Sequence, residues 1–179
     1  MTQLDNVLYV VYYESSTIEM YSTDTLSQLG QDILVVGMSE PNDIVVCRDD
    51  RQLYIADWYR IWRVSADDHF YVRWLGTEPI THHYYWPTNE YTMSVYTLSV
   101  RSRRLLVTSW SWPNTLRQYS TTDRQLLHEI KMPGYMKQLY HGVETTRGTF
   151  IVCHWGTSLY ERKWAVSEIR YYTVVPNVR

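Results

Sequence analysis

The chain is poor in the residues that punctuate or cross-link many small proteins. Of its 179 residues, 7 are glycine, 6 proline and 2 cysteine. None of the glycines falls in a GxGxxG or GxxxxGK[ST] spacing, so no phosphate-cradling loop is encoded. Cys47 and Cys153 form neither a CxxC pair nor a zinc spacing, and two thiols build no disulfide framework. Both lie in apolar runs (IVVC and FIVC), which reads as buried, reduced thiols. No apolar run approaches the ~20 residues that cross a bilayer. The opening MTQLDNVLYV lacks the basic and long apolar regions of a signal peptide, and no Asn-x-Ser/Thr sequon occurs. The expectation is a cytoplasmic protein without a membrane partner.

Lysine is scarce as well: 14 of the 17 basic residues are arginine, which suits bidentate pairing and ring stacking. The net charge of −2 hides an asymmetry. Residues 1–89 carry 5 Arg and 13 Asp/Glu, whereas residues 90–179 carry 12 Lys/Arg and 6 Asp/Glu. One reading is acidic and basic halves that face each other within the fold or across an oligomer. The other is a basic half-surface for single-stranded RNA, although the pI near 6.3 is far from the strongly basic footprint of a dedicated nucleic-acid binder.

What the chain has in quantity is β-forming and aromatic: hydrophobic residues make up 45%, with 17 Tyr and 8 Trp against 2 Phe. That length and composition fit one domain, residues 1–179, with a core of its own.

An internal repeat organises this domain. LYVVYY (8–13), LYIADW (53–58), LLVTSW (105–110) and FIVCHW (150–155) share one shape, an apolar run closed by a large aromatic. The closing aromatics Tyr13, Trp58, Trp110 and Trp155 are spaced by 45, 52 and 45 residues, the surplus lying in the insertion at 81–91. Downstream, Ile18-x-x-Tyr21-Ser-Thr-Asp, Ile61-x-x-Val64-Ser-Ala-Asp and Leu116-x-x-Tyr119-Ser-Thr-Thr-Asp read as a half-buried strand followed by a polar turn. Further strands are expected at 26–36, 70–75 and 126–130, and before the later aromatic-ended runs at 43–47, 96–100 and 139–143. No long amphipathic helix is expected, one helical turn at 135–141 apart. The first unit reads as opening with its second strand, and IRYYTVV (169–175) as the outermost strand of the last.

Four antiparallel strands per ~40–45 residues is the pattern of a β-propeller blade. The expected fold is therefore all-β, a propeller of about four blades with four antiparallel strands each. The blades run approximately over 1–36, 37–80, 87–132 and 133–179. With about 15 strands, three outcomes stay open: a four-bladed ring, part of a larger ring, or an arc completed by a second chain. An open arc would leave unpaired edges and invite self-association.

The segment PNDIVVCRDDRQLYIADWYRIWRVSAD (41–67) resembles an NHL/YWTD-like propeller repeat, with Leu53-Tyr-Ile-Ala-Asp57 and Ile61 in the family's frame. The asparagine usual after that aspartate is absent, and Asp57 is replaced by Tyr12, Ser109 and His154 in the other units. The resemblance implies a recognition module, such as the substrate-binding part of a ubiquitin ligase.

In a propeller the loops after each second strand lie around the channel mouth. Here those loops begin at Tyr13, at Trp58-Tyr59-Arg60, at Trp110-Ser111-Trp112 and at Trp155. The insertion brings Tyr84, Tyr85 and Trp86 to the same face, with Arg60 and Arg117 nearby. Such rings suit stacking or gripping a peptide. Trp58, Tyr59, Arg60, Tyr84, Tyr85, Trp86, Trp110, Trp112, Trp155 and Arg117 are the candidate ligand-binding set, and the reading is a non-catalytic module that binds a protein or peptide.

Two alternatives come from other classes: RNA binding through the Arg-rich C-terminal half, and a channel-metal hydrolase. Against the latter, the Asp57-equivalent positions supply one carboxylate. His82 and His83 are adjacent in a loop, and no Gly-x-Ser-x-Gly elbow accompanies Ser109 and His154. Neither metal, cofactor nor catalytic residues are expected. The cluster Arg101-x-Arg103-Arg104 should sit in a turn on the face opposite the rings.

Overall fold

A computed structural model describes residues 1–58, 60–76, 95–109, 115–132, 137–155 and 164–169. Every regular element among them is a β-strand, and the strands form four antiparallel sheets in chain order. Sheet 1 holds β1 (Thr2–Leu4), β2 (Val7–Val11), β3 (Thr17–Ser22) and β4 (Ile33–Leu34). Sheet 2 holds β5 (Pro41–Cys47), β6 (Gln52–Asp57), β7 (Arg60–Ser65) and β8 (Tyr71–Gly76). Sheet 3 holds β9 (Val95–Arg101), β10 (Arg104–Ser109), β11 (Thr115–Ser120) and β12 (Leu126–Lys131). Sheet 4 holds β13 (Lys137–Glu144), β14 (Phe150–Trp155) and β15 (Trp164–Ile169). Each sheet is a meander in which consecutive strands pair.

Three sequence expectations need correction. The first unit opens with its first strand: β1 pairs with β2 through Thr2↔Tyr9 and Leu4↔Val7. Three residues are too short to display a period of two, so the strand left no legible pattern. The strand expected over 26–36 shrinks to Ile33–Leu34, because Leu26 takes φ 56° in the turn and Gly30 φ 62° breaks the run. In place of a helical turn at 135–141, β13 runs from Lys137, paired with Trp155. The segment 170–175 lies outside the described residues.

The Ser-x-Asp turns are one structure used three times. Ser22, Ser65 and Ser120 each accept a backbone N–H from Leu26, His69 and Arg124 at their carbonyls. Their hydroxyls accept the N–H groups of Asp24, Asp67 and Thr122. The donors Leu26, His69 and Arg124 all have positive φ. With so few glycines, even the two-residue hairpin Ser102-Arg103 is built from ordinary residues at φ 47° and 57°, a conformation that costs roughly 1–2 kcal/mol each.

The sheets stack face to face in order, giving three cores. Leu4, Tyr9, Ile18 and Ile33 of sheet 1 pack on Ile44, Leu53, Ile55 and Trp62 of sheet 2. The opposite face of sheet 2, with Tyr54, Ala56, Ile61 and Trp74, packs on Leu98, Leu105, Val107 and Tyr119 of sheet 3. Leu106 and Leu116 of sheet 3 then meet Leu139, Phe150 and Val152 of sheet 4. Gly142 lets that last interface close tightly: a Cβ there would lie 3.1 Å from Leu116 and 3.2 Å from Thr108, whose side chains would have to give way. The first strands of successive sheets are themselves neighbours, β1 beside β5, β5 beside β9, and β9 beside β13.

A shared irregularity marks those first strands. Pro41 pairs Asp57 and Asp43 pairs Ala56, so Asn42 is an extra, bulged residue. The same step places Tyr96 between Val95↔Ser109 and Thr97↔Thr108. Tyr140 falls likewise between Leu139↔His154 and His141↔Cys153. The repeat positions Asp57, Ser109 and His154 therefore all sit opposite a bulge, where they are buried polar groups.

Candidate functional site

Asp57 explains why the repeat carries polar residues at this point. Its carboxylate accepts the Glu40 N–H at 3.0 Å, the Ser39 N–H and hydroxyl at 3.4 Å, and the Trp62 indole N–H at 2.9 Å. The segment entering sheet 2 is thus tied to the end of β6. The role is structural, and the residue is 1% exposed.

Just beyond it, the end of the molecule that carries the loops after the second strands is aromatic. Tyr12 and Tyr13 are 50% and 58% exposed at the end of sheet 1. The Tyr13 hydroxyl donates at 3.2 Å to Glu40, in the segment that enters sheet 2. Local desolvation, then the Glu40 carboxylate, raise the Tyr13 pKa. Trp58 turns at φ 39° after β6, half-buried, and its carbonyl accepts the Val95 N–H of sheet 3 at 2.5 Å. Arg60 donates to the Gly37 carbonyl at 2.8 Å and stacks 5.9 Å over the Trp62 ring. Its Nε is buried and has no acceptor among the described residues. Trp58 therefore ties the end of β6 to the start of β9.

The remaining candidates divide. Arg117 lies within β11 and pairs with Glu129 of β12 at 2.9 Å. Trp155 closes β14. Tyr59, Tyr84, Tyr85, Trp86, Trp110 and Trp112 lie outside the described residues.

The opposite end is ionic. Arg51 bridges Asp5 of sheet 1 at 2.7 Å and Asp67 at 2.8 Å. Arg103 reaches Asp50 of sheet 2 at 3.0 Å, and Arg104 reaches Glu144 of sheet 4 at 2.9 Å. The Arg101–Arg104 cluster does form the β9–β10 hairpin turn, and its guanidiniums link sheets. The Arg103–Asp50 pair joins the basic and acidic halves directly. Between sheets 2 and 3, a cleft of about 430 Å³ opens at this end, lined by Asp50, Tyr54, Arg63, Phe70, Arg103 and Thr121 among others. Burial pushes the Tyr54 pKa up to about 12. Sequence reasoning missed this cleft, because its residues come from four turns and strands with no shared motif.

Along the line of first strands, Asp43, Thr97 and His141 occupy equivalent post-bulge positions. Asp43 accepts the Leu98 N–H at 2.8 Å and the Ile44 N–H at 2.9 Å. Burial raises its pKa, opposed by those two N–H groups and, more weakly, by His141. Among the described residues no group of three or more His, Cys, Asp or Glu is placed to hold a metal ion. Nor is any helix among them long and apolar enough to cross a membrane.

Fold and site together define an all-β protein of stacked antiparallel meanders with an aromatic end and an ionic end. No protein-family model matches the chain, and no curated protein matches it. Among solved structures it is similar to Kuenenia stuttgartiensis hydrazine synthase, with a TM-score of 0.65 at 15% identity over 83% of this chain. The chain spans 40% of the length of that one. It is also similar to the computationally designed Ika4 protein, with a TM-score of 0.59 at 12% identity, covering 94% of this chain and 89% of that one. At these identities the likeness is one of fold alone.

Proposed function

We propose that the protein is a non-catalytic, propeller-type interaction module that binds a protein or peptide through its aromatic end. The observation that carries this reading is the pair of exposed rings Tyr12 and Tyr13, the latter anchored by Glu40 of the neighbouring segment, at the end where Trp58 closes β6. Amphipathic rings held by the ends of rigid strands present contact area at little entropic cost, which is what recognition surfaces use. The Arg60 Nε adds a donor that a carbonyl or carboxylate of a bound peptide would satisfy after a small rotation. The four-strand meanders stacked in chain order, with their first strands adjacent, support the propeller reading and its resemblance to NHL repeats. Free thiols at Cys47 and Cys153 are in keeping with a reducing cytoplasm. RNA binding is the weaker alternative, because Arg103 and Arg104 are already engaged by carboxylates.

The test is selection from a displayed random-peptide library, followed by affinity measurement on the Tyr12→Ala/Tyr13→Ala and Trp86→Ala/Trp112→Ala variants. The expected result is a loss of at least tenfold in affinity with an unchanged melting temperature. Enrichment of no peptide, or affinities untouched by both double variants, would overturn the reading.

A further inference from the structure

The stacking rule that joins the sheets assigns a direction to every side chain of the repeat. Leu53, Leu105 and Phe150 begin equivalent runs, and each packs against the preceding sheet at 0–1% exposure. Two residues later, Ile55, Val107 and Val152 do the same, again at 0–1%. The intervening position faces the following sheet: Tyr9, Tyr54 and Leu106 are 4%, 0% and 2% exposed.

At the two ends of the stack these positions lack their neighbour. In sheet 1 the preceding-sheet positions are Leu8 and Val10, which belong to none of the three cores and are only partly buried. On the same face, by cross-strand register, stands Leu34 at 54% exposed. In sheet 4 the following-sheet position is Ile151, 38% exposed, paired with Val143 at 37%. A sheet face turned to water alternates to polar residues; these two keep apolar residues at the repeat positions that are buried in the inner sheets, with Glu19 and Tyr21 beside them on sheet 1. Among the described residues, no strand of sheet 4 packs against sheet 1 as successive sheets do.

The charges at the two ends are complementary. Residues 1–36 contain five Asp/Glu and no Lys or Arg, whereas residues 133–179 contain six Lys/Arg and three Glu. We infer that the outer face of sheet 4 receives the outer face of sheet 1 of a second copy of this chain, head to tail. The contact repeats the geometry of the three interfaces inside the chain. It is heterologous, with two different surfaces meeting, so two copies close only if both contacts form at once. The opposite charge of the two terminal segments favours the head-to-tail pairing over like-with-like.

The experiment is analytical ultracentrifugation of the full chain over a wide concentration range, with Val10→Arg, Leu34→Arg and Ile151→Glu variants. Wild type is expected at no less than twice the 21.5 kDa chain mass, and each variant at the monomer mass. Mixing Leu34→Arg with Ile151→Glu should restore a dimer, because that mixture contains one intact sheet 1 and one intact sheet 4. Leu34 is mostly exposed, so Leu34→Arg keeps the test valid if Val10→Arg misfolds; Val143→Glu serves likewise for Ile151→Glu. A wild type that stays monomeric throughout would overturn the inference. So would a dimer broken by the sheet 1 variants but untouched by those on sheet 4, which is like-with-like pairing.

Discussion

Sheets 2 and 3 differ from sheets 1 and 4 in having both faces covered. Strand β6 buries every residue from Leu53 to Asp57, and β10 every residue from Leu105 to Ser109. Strand β2, with nearly the same sequence shape, buries only Tyr9. Position in the stack, rather than local sequence, sets how much each run contributes to stability. An apolar run buried on both faces contributes roughly twice the burial of one covered on a single side, at ~25 cal/mol per Å² of apolar surface.

The largest expected effect that tests this contrast is at Trp74, 2% exposed between the rings of Tyr54 at 5.2 Å and Tyr119 at 6.0 Å. Trp74→Ala should cost about 3–5 kcal/mol in urea unfolding, whereas Leu34→Ala on the outer face of sheet 1, compared at a concentration where the chain is monomeric, should fall within about 0.5 kcal/mol. Equal losses at the two sites would show that the terminal sheet is covered as fully as the inner ones.

A smaller effect is expected where the inner sheets join edge to edge. Asp43→Ala leaves the Leu98 N–H without its acceptor and should cost about 1–3 kcal/mol. The pH dependence has a definite sign. Burial holds the folded-state pKa of Asp43 above the ordinary 3.8, so the folded protein retains this proton more tightly than the unfolded chain. Stability relative to Asp43→Asn should be greatest below about pH 3.8 and decline as pH rises through the raised folded value. Unfolding of both proteins from pH 3 to 7 checks it, and a difference that grows with pH would contradict it.

The smallest effect belongs to the ionic end. Arg51→Ala removes contacts to Asp5 and Asp67, but its side chain is 44% exposed. A loss below about 1 kcal/mol, shrinking further at 1 M salt, is expected in thermal melts. A loss insensitive to salt would show that the Arg51 stem packs the sheet 1–sheet 2 seam.

Much of the strand order was legible in the residues. The aromatic-ended runs, the Ser-x-Asp turns and the Arg101–Arg104 hairpin all stand where their local chemistry put them, because period-two alternation and turn residues act over a few positions. The bulges at Asn42, Tyr96 and Tyr140 were not read, although each leaves a trace: the alternation slips by one residue just before Asp43, Thr97 and His141. Among the candidate site residues, Trp58 and Arg60 lie together at the aromatic end, while Arg117 answers to Glu129 inside its sheet. That pairing is non-local, and no spacing announces it. Arg63 and Tyr54 were passed over for the same reason, being ordinary strand residues until sheet 3 stands opposite them.

The sequence by itself determined most of the strands, the turns between them and that similar units follow one another, since those features rest on backbone propensity and neighbours a few residues away. Only the tertiary structure decided which apolar faces are covered. It also brought Tyr13 to Glu40, Asp50 to Arg103 and Asp43 to Leu98. Each of those contacts joins different sheets, and burial is a property of what stands opposite a face rather than of the face itself.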